Sequence, residues 1–330
     1  MNKDLRAGTL KQSLKRIIKT HLYFNALLYI FYVMRIRLMN AVGYLATDSG
    51  TTHSDLSLEE SLDYIENVFA DYQRISNIPQ FSGKIAELGP GDSAGVGLMF
   101  LAHGAEQVDL ADRFYSRRSH EAHEKVYRSL AAKYPVLDKI LATAKFNQFE
   151  SLPNLKRYYG TKASGEAFFD ENRGYNVIVS RSVLEHVDQP QVVLCKMYKA
   201  LNVGGVLIHK VDLRDHGMYT PYSESVKFLE LPQWLYRIMT YGSGYPNRFL
   251  FHDYKKTLLE LDPKSEFYIA GLHGIDEDMS VGYKLEDIPI QWKQHSIDFI
   301  EKHRFKFSAI FKNVASEELM VSSFFFVSRK

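Results

Sequence analysis

The chain has 330 residues, 45% of them hydrophobic and 24% charged, a composition that fits a folded globular protein with room for one large domain and an appendage. Forty-one basic residues against 39 acidic ones leave a net charge of +2, which gives no basis for a nucleic-acid partner. A single cysteine, Cys195, excludes an internal disulfide, suits a reducing cytoplasmic compartment, and falls where a helix would bury a small side chain. Internal repeats, low-complexity tracts and zinc-spaced Cys/His pairs are absent.

Residues 1–54 are predicted to form an N-terminal helical appendage. Lys3, Arg6, Lys11, Lys15, Arg16 and Lys19 precede a 13-residue apolar run, Leu22 to Met34, and Arg35 and Arg37 follow it. A spanning helix needs about 20 apolar residues, and Arg35-Ile36-Arg37 occupies the place of a signal-peptide cleavage site. Two readings fit: a helix packed on the rest of the protein or on a second copy in a homodimer, and an interfacial helix in which residues 1–45 make peripheral contact with the inner face of an anionic membrane. The polar stretch 47–54 reads as a linker, and residues 55–330 as the main domain. There Ser57 and Glu60 form a capping box, and Leu58, Leu62, Ile65, Val68, Phe69 and Tyr72 hold a 3.6-residue period.

A buried strand is predicted at Ile85-Ala86-Glu87-Leu88, breaking into Gly89-Pro90-Gly91-Asp92-Ser93-Ala94-Gly95, after which helical apolar spacing resumes. Strand, glycine turn and helix make a nucleotide-cofactor site, because glycines let a ligand lie against bare backbone. Gly89, Gly91 and Ala94 also satisfy a dinucleotide fingerprint. Two features point elsewhere. Glu87 stands inside the strand, and a second strand, Gln107 to Asp112, ends in an acid about 20 residues past the glycines. The segment resembles the first motif of the Rossmann-like S-adenosylmethionine (SAM)-dependent methyltransferases. The resemblance implies a seven-stranded, mostly parallel α/β sheet with an antiparallel last strand. It also implies SAM as cofactor, with Glu87 near the methionine end, Gly89, Pro90 and Gly91 beneath it, and Asp112 on the ribose. Ser93 stands where such families often carry a third glycine.

Beyond Asp112, the cluster Arg113, Arg117 and Arg118 could meet an anionic substrate or form a solvated face, a helix is expected over about 119–144, and His103, His120 and His123 default to the surface. Lys156 to Gly160 reads as a third strand, and Ser164 lies in the loop where the family holds adenine. Tyr158 and Lys162 have a dehydrogenase-like spacing, but Gly160 between them argues against that role.

A second motif begins with the buried strand Tyr175 to Ser180, turns at Arg181-Ser182 and continues Val183-Leu184-Glu185-His186-Val187. It resembles the family's fourth motif, which implies Ser180 and Arg181 beside the methyl donor. A helix is predicted from Pro190 to Leu201. Asn202-Val203-Gly204-Gly205 would close it and feed a fifth strand, Val206 to Val211. That strand runs into Asp212-Leu213-Arg214-Asp215-His216, and strand carboxyl ends form the ligand crevice in open α/β sheets. O-methyl transfer needs a hydroxyl relieved of its proton, so His216 is the first candidate base, Asp215 or Asp212 could orient or replace it, and His186 is second. The same residues could instead only brace the loop.

Residues 213–253, rich in aromatics and glycine, are expected to form a substrate lid or the core of a small cap. A helix is predicted at 252–261, a sixth strand at Phe267 to Leu272 with Phe307 to Phe311 as the alternative, a short helix from Ile297 to His303, and an inserted last strand from Leu319 to Ser328. Resemblance to bacterial methyltransferases linked to surface-glycan assembly suggests O-methylation of a sugar or glycan acceptor. A small metabolite or lipid-like acceptor methylated at O, N or C, and a non-catalytic SAM-binding module, are the alternatives.

Overall fold

The computed structural model describes residues 21–41, 46–47, 56–116, 119–142, 151–152, 154–219 and 226–330. The basic stretch 1–20, most of the predicted linker, and Arg117 and Arg118 lie outside the described residues.

The chain forms two compact units. The larger comprises the described parts of Tyr44–Val211 with Tyr254–Tyr268 and Phe325–Lys330; the smaller comprises those of Met1–Gly43 and Asp212–Asp253 with Ile269–Phe324. The helices, in chain order, are α1 (Leu22–Ala41), α2 (Leu58–Ser76), α3 (Gly95–Ala102), α4 (His120–Lys133), α5 (Val136–Leu141), α6 (Gly165–Glu171), α7 (Pro190–Ala200), α8 (Gln233–Thr240), α9 (Phe251–Leu261), α10 (Ile290–Arg304), α11 (Ala309–Lys312) and α12 (Ser316–Leu319). The strands of the main sheet are β1 (Gly83–Leu88), β2 (Ala105–Asp112), β3 (Leu155–Tyr159), β4 (Tyr175–Arg181), β5 (Leu201–Asp212), β6 (Glu266–Leu272) and β7 (Val321–Arg329).

The strands lie in the order β3-β2-β1-β4-β5-β7-β6, and a two-residue strand, Ser151–Leu152, pairs antiparallel on the outside of β3. β3, β2, β1, β4 and β5 are parallel. The apolar runs within β4 and β5 suit strands covered on both faces of the sheet. β7 reverses: Ser322 accepts the Leu213 N–H, whereas Gly204 donates to Lys330. The predicted insertion of the last strand between the fifth and sixth is thus observed.

The helices follow from local chemistry. Ser57 Oγ accepts the Glu60 amide at 3.2 Å and the Glu60 carboxylate accepts the Ser57 amide at 2.8 Å, so the predicted capping box opens α2. Asn77, at φ 55°, closes it. Phe69 and Tyr72 of α2 meet Phe100 of α3, and Phe81 joins them edge-on. Gly95 lets this contact form: a Cβ there would lie 2.2 Å from Ile65 Cδ1.

Several expectations are corrected. The single helix over 119–144 is split, because Pro135 forces Tyr134 out of helical conformation (φ −123°, ψ 88°). β5 begins at Leu201 rather than Val206, but the glycine bend persists inside it: Gly204 adopts φ +81°, the register on β4 shifts between Tyr175 and Val177, and Gly204 and Gly205 bond the Lys330 backbone. Phe307–Phe311 runs into α11 and forms no strand, so β6 is the sixth. The short helix at Ile297 is a 15-residue helix starting after Pro289. The 13-residue apolar run belongs to a 20-residue helix that includes Arg35 and Arg37. His123 is buried, with Nε2 3.7 Å from the buried Asp92 carboxylate, and Cys195 is half-buried rather than core.

One polar group inside the larger unit is fully paired. Asp109 on β2 is inaccessible, and it accepts Tyr175 Oη at 2.7 Å and Gln107 Nε2 at 2.9 Å, with Lys84 Nζ 3.2 Å away. Lys84 also lies over the Tyr175 ring at 4.3 Å. Tyr175→Phe removes one donor from a buried carboxylate, a loss of about 1–2 kcal/mol. Urea denaturation should show a lower midpoint with an unchanged slope.

Candidate active site

The larger unit builds its site from the strand ends. β1 carries Glu87 into the interior, where it is 7% exposed and Oε2 has no hydrogen-bond partner. Burial raises its pKa to about 8; the charge of Arg157 pulls it down but does not prevail. Arg157, on β3, is itself buried: Nη2 donates to Gly91 O at 2.7 Å and Nε has no partner. Tyr72 of α2 also ends in a partnerless buried hydroxyl, and the proximity of Glu87 adds to the burial that raises its pKa. A carboxyl, a guanidinium nitrogen and a phenol, all buried and under-bonded around one strand end, leave room for the polar groups of a ligand.

The glycine turn shapes the floor. Gly89 adopts φ +71°, and a Cβ there would lie 2.3 Å from Val183 Cγ2; Gly91 adopts φ +63°. Ser93 accepts the Gly95 amide at 3.0 Å, a bond that a third glycine would lack. Asp112, at the end of β2, is half-buried and accepts the Phe114 amide at 2.9 Å. Ser164 stands at the N-cap of α6 without a side-chain cap bond.

Ser180 and Arg181 are placed by their neighbours. The Ser180 hydroxyl is fully buried and 2.7 Å from His209 Nδ1. His209 stacks on Phe326 at 4.9 Å, and burial pushes its pKa down to about 3, so the imidazole is neutral. The Ser180 side chain is therefore committed to the neighbouring strand rather than held out toward a ligand. Arg181 pairs with Asp71 at 2.7 Å, which ties β4 to α2. After β4 the chain bends through Ser182 at φ +54°, an uncommon conformation for a side-chain-bearing residue, held by its amide to Lys210 O at 2.9 Å. Then comes the turn Leu184–His186, with Glu185 buried and His186 half-buried. Arg113 is not simply solvated: it bonds Asp188 at 3.1 Å.

The other candidates, Asp212, Asp215 and His216, stand together in the smaller unit. Asp212 is buried, which alone would raise its pKa. The bonds and charge of Arg214, at 2.5 Å, outweigh burial and hold it below the usual carboxylate range. Asp215 is inaccessible, and its oxygens accept the amides of Gly217 at 2.9 Å and Tyr219 at 3.0 Å. Those are the bonds of a residue that braces the loop. His216 adopts φ +51°, with Nε2 3.5 Å from Asp212 O. Of the three non-glycine residues with positive φ among those described, Asn77 caps a helix; Ser182 and His216 follow the ends of β4 and β5. Stored strain of this kind clusters at functional sites.

Residues 64–253 match the sequence profile of a family described as a methyltransferase domain, which covers more than half of the chain. The chain belongs to this methyltransferase family. Comparison with curated proteins gave no match. Among solved structures, the chain is similar to a Nostoc punctiforme protein described as an O-methyltransferase (16% identity, 63% of this chain and 55% of that one, TM-score 0.35). It is similar also to a Bacillus halodurans protein described as a methyltransferase (13%, 82% and 99%, 0.37). A third likeness is to Haemonchus contortus phosphoethanolamine N-methyltransferase 2, solved with phosphomonomethylethanolamine and S-adenosylhomocysteine (13%, 80% and 52%, 0.39). The chain thus spans 55% of the length of the first of these.

The methyltransferase uses SAM as its cofactor, and the residues of the larger unit fit that group. Glu87, Arg157 and Tyr72 offer under-bonded polar atoms. Gly89 and Gly91 keep the turn free of side chains, and the Asp112 carboxylate stands at the end of the next strand. Arg157 is the residue that sequence reasoning missed. A base within Leu155-Lys156-Arg157-Tyr158 reads as an exposed strand position, and only the fold turns it inward.

Glu87 holds its proton more tightly in the folded protein than in the unfolded chain. The stability this contributes is fully present below its ordinary value of 4.5 and is lost as pH rises through about 8. Melting temperatures of SAM-free wild type and Glu87→Gln should differ by a constant below about pH 4.5. The variant should gain relative to wild type up to about pH 8 and hold that gain above it. A difference that does not change with pH would contradict a buried neutral carboxyl.

Proposed function

We propose that the protein transfers a methyl group from SAM to a hydroxyl of a sugar or glycan-type acceptor, in the cytoplasm, with His216 as the base. The observation that carries this reading is the loop after β5. Because β1, β4 and β5 are parallel, the loops after them leave the same edge of the sheet. The loop after β5 supplies an ionised Asp212 held by Arg214 and an imidazole fixed in a left-handed backbone conformation.

Glu87, Gly89, Pro90, Gly91 and Asp112 would hold the donor, which would supply an electrophilic methyl carbon with a neutral thioether as its leaving group. The His216 imidazole takes the hydroxyl proton as the acceptor oxygen forms its bond to carbon, so no charged alkoxide need build up. Asp212 and Arg214 position that loop, and Asp215 fixes its curvature through the Gly217 and Tyr219 amides. Most of the acceleration comes from holding two reactants in line.

The aromatics of 213–253 divide. Tyr219, Phe228 and Tyr236 are buried in the smaller unit's core around Arg248, whereas Trp234 and Tyr241 are exposed. The buried group is committed to packing, so acceptor specificity falls to polar groups more than to an aromatic wall.

The decisive experiment incubates the full-length protein with cell extract and methyl-labelled SAM, then identifies the labelled product. Label in a glycan or nucleotide-sugar fraction supports the proposal. Label in a lipid or a small amine would replace the acceptor class, and SAM binding without any transfer would favour a binding module. His216→Ala should lower kcat by about 10²- to 10⁴-fold and leave the SAM dissociation constant unchanged. Unchanged turnover would remove His216 as the base.

A further inference from the structure

The helix α1 carries two apolar faces, and the smaller unit uses only one. Asn25, Tyr29, Val33 and Arg37 recur every four residues and form the docked stripe. Asn25 Nδ2 donates to Met218 O at 2.8 Å, Tyr29 meets Tyr245 edge-on at 5.0 Å, Val33 is inaccessible, and Arg37 Nε donates to Tyr241 O at 3.0 Å. The remaining circumference presents Tyr23, Phe24, Leu27, Leu28, Phe31, Tyr32, Met34 and Leu38 to solvent, Phe31 at 62% and Leu38 at 68% exposure. Trp234, Ile238 and Tyr241 of the α8 segment, to which Arg37 is bonded, are exposed as well. So many exposed large apolar side chains on one helix mark a contact site.

The length of α1 would allow a span, since Leu22–Met39 is apolar enough by composition. The docked stripe argues against one, because crossing a bilayer would strip Asn25 and Arg37 of their carbonyl partners. A helix held along one side and apolar along the other lies in the interfacial plane.

Charge selects the occupant. Residues 1–47 contain eight bases, Lys3, Arg6, Lys11, Lys15, Arg16, Lys19, Arg35 and Arg37, and a single acid, Asp4. Since the whole chain carries only +2, the remainder is acidic on balance. Two copies meeting through this face would bring two basic segments together, whereas an anionic lipid surface complements them. The exposed tyrosines and tryptophan are the residue types favoured at the headgroup boundary.

We infer that the free face of α1, with Trp234, Ile238 and Tyr241, seats the protein on the surface of an anionic phospholipid bilayer, with α1 in the interfacial plane. None of these residues is among those assigned to the cofactor, so the inference holds or fails independently of the methyl acceptor.

The test is vesicle flotation of the full-length protein with phosphatidylglycerol/phosphatidylcholine vesicles and with phosphatidylcholine alone. The protein should float with the anionic vesicles, and binding should weaken as salt is raised. The double variant Phe31→Glu, Leu38→Glu should lower the partition coefficient about tenfold or more, with melting temperature and SAM affinity unchanged. Trp234 fluorescence, read in a Trp292→Phe background, should be quenched by brominated lipid; this second readout needs no change in α1. Three outcomes would overturn the inference: a wild-type protein that stays with neither vesicle type, a folded double variant that floats as well as wild type, or unquenched Trp234. A wild-type dimer by light scattering that the double variant converts to monomer, without vesicle binding, would assign the face to a second copy.

Discussion

A carboxyl group buried at the end of the central strand, with too few partners of its own, is the constraint on which the larger unit depends. Leaving a buried acceptor unbonded costs about 1–3 kcal/mol, more if the group is ionised. The fold limits that cost by keeping Glu87 protonated near neutrality and by placing the Arg157 guanidinium within electrostatic reach. Arg157 in turn is anchored on the Gly91 carbonyl, so the charge that tempers Glu87 also fixes the glycine turn. Gly89 must have no side chain because Val183, from the second motif, fills that space. The two motifs, about 90 residues apart in sequence, are thereby coupled at one point of contact in space.

The sheet explains why so much chemistry collects there. Parallel strands need crossovers, and each crossover starts with a loop at the same sheet edge. Two of these loops, after β4 and β5, contain a non-glycine residue at positive φ, Ser182 and His216. Side-chain-bearing residues are uncommon there, and each is held by its surroundings: Ser182 by the Lys210 carbonyl, and His216 by the bonds of Asp215 to the amides that follow it. Such loops are bent to present particular groups, whereas the Asn77 cap bends only to end a helix.

Much of this could be read from the residues. Continuous apolar runs flanked by glycine gave β1 and β4, a Ser/Glu pair three apart gave the start of α2, and an acid inside a strand separated this site from a plain packing strand. What escaped had contrary local signals. Gly204-Gly205 has the chemistry of a turn and does bend, with Gly204 at φ +81°, but its pairing with Lys330 makes that bend part of β5. α10 opens with Ile290, which is 80% exposed, so its first turn gives no amphipathic cue. His123 looked like a surface residue because its partner, Asp92, lies 31 positions earlier in the sequence. Ser180 ends a strand expected beside the methyl donor, and its hydroxyl lies 2.7 Å from a buried histidine on the next strand. In each case the deciding partner is remote, and no window of local sequence contains it.

The N-terminal helix shows the same limit from the opposite direction. Its 13-residue apolar run is too short to span a bilayer, and Arg35-Ile36-Arg37 stands where a cleavage site would, which leaves both packing and an interfacial position open. In the fold, packing buries Asn25, Ala26 and Val33 and half-buries Tyr29, and Arg37 belongs to the packed stripe, its guanidinium on the carbonyls of the α8 segment. An ordinary docked helix would turn its remaining circumference to water with charged side chains. Here Arg35 is the one charged residue on that circumference, and the rest is aromatic or aliphatic. Selection for solubility alone would not maintain such a surface, because an exposed contiguous apolar patch promotes association. The helix is therefore under two demands at once. Fixed bonds hold it to the protein along one side, and the other side presents aromatic and aliphatic side chains with a single arginine.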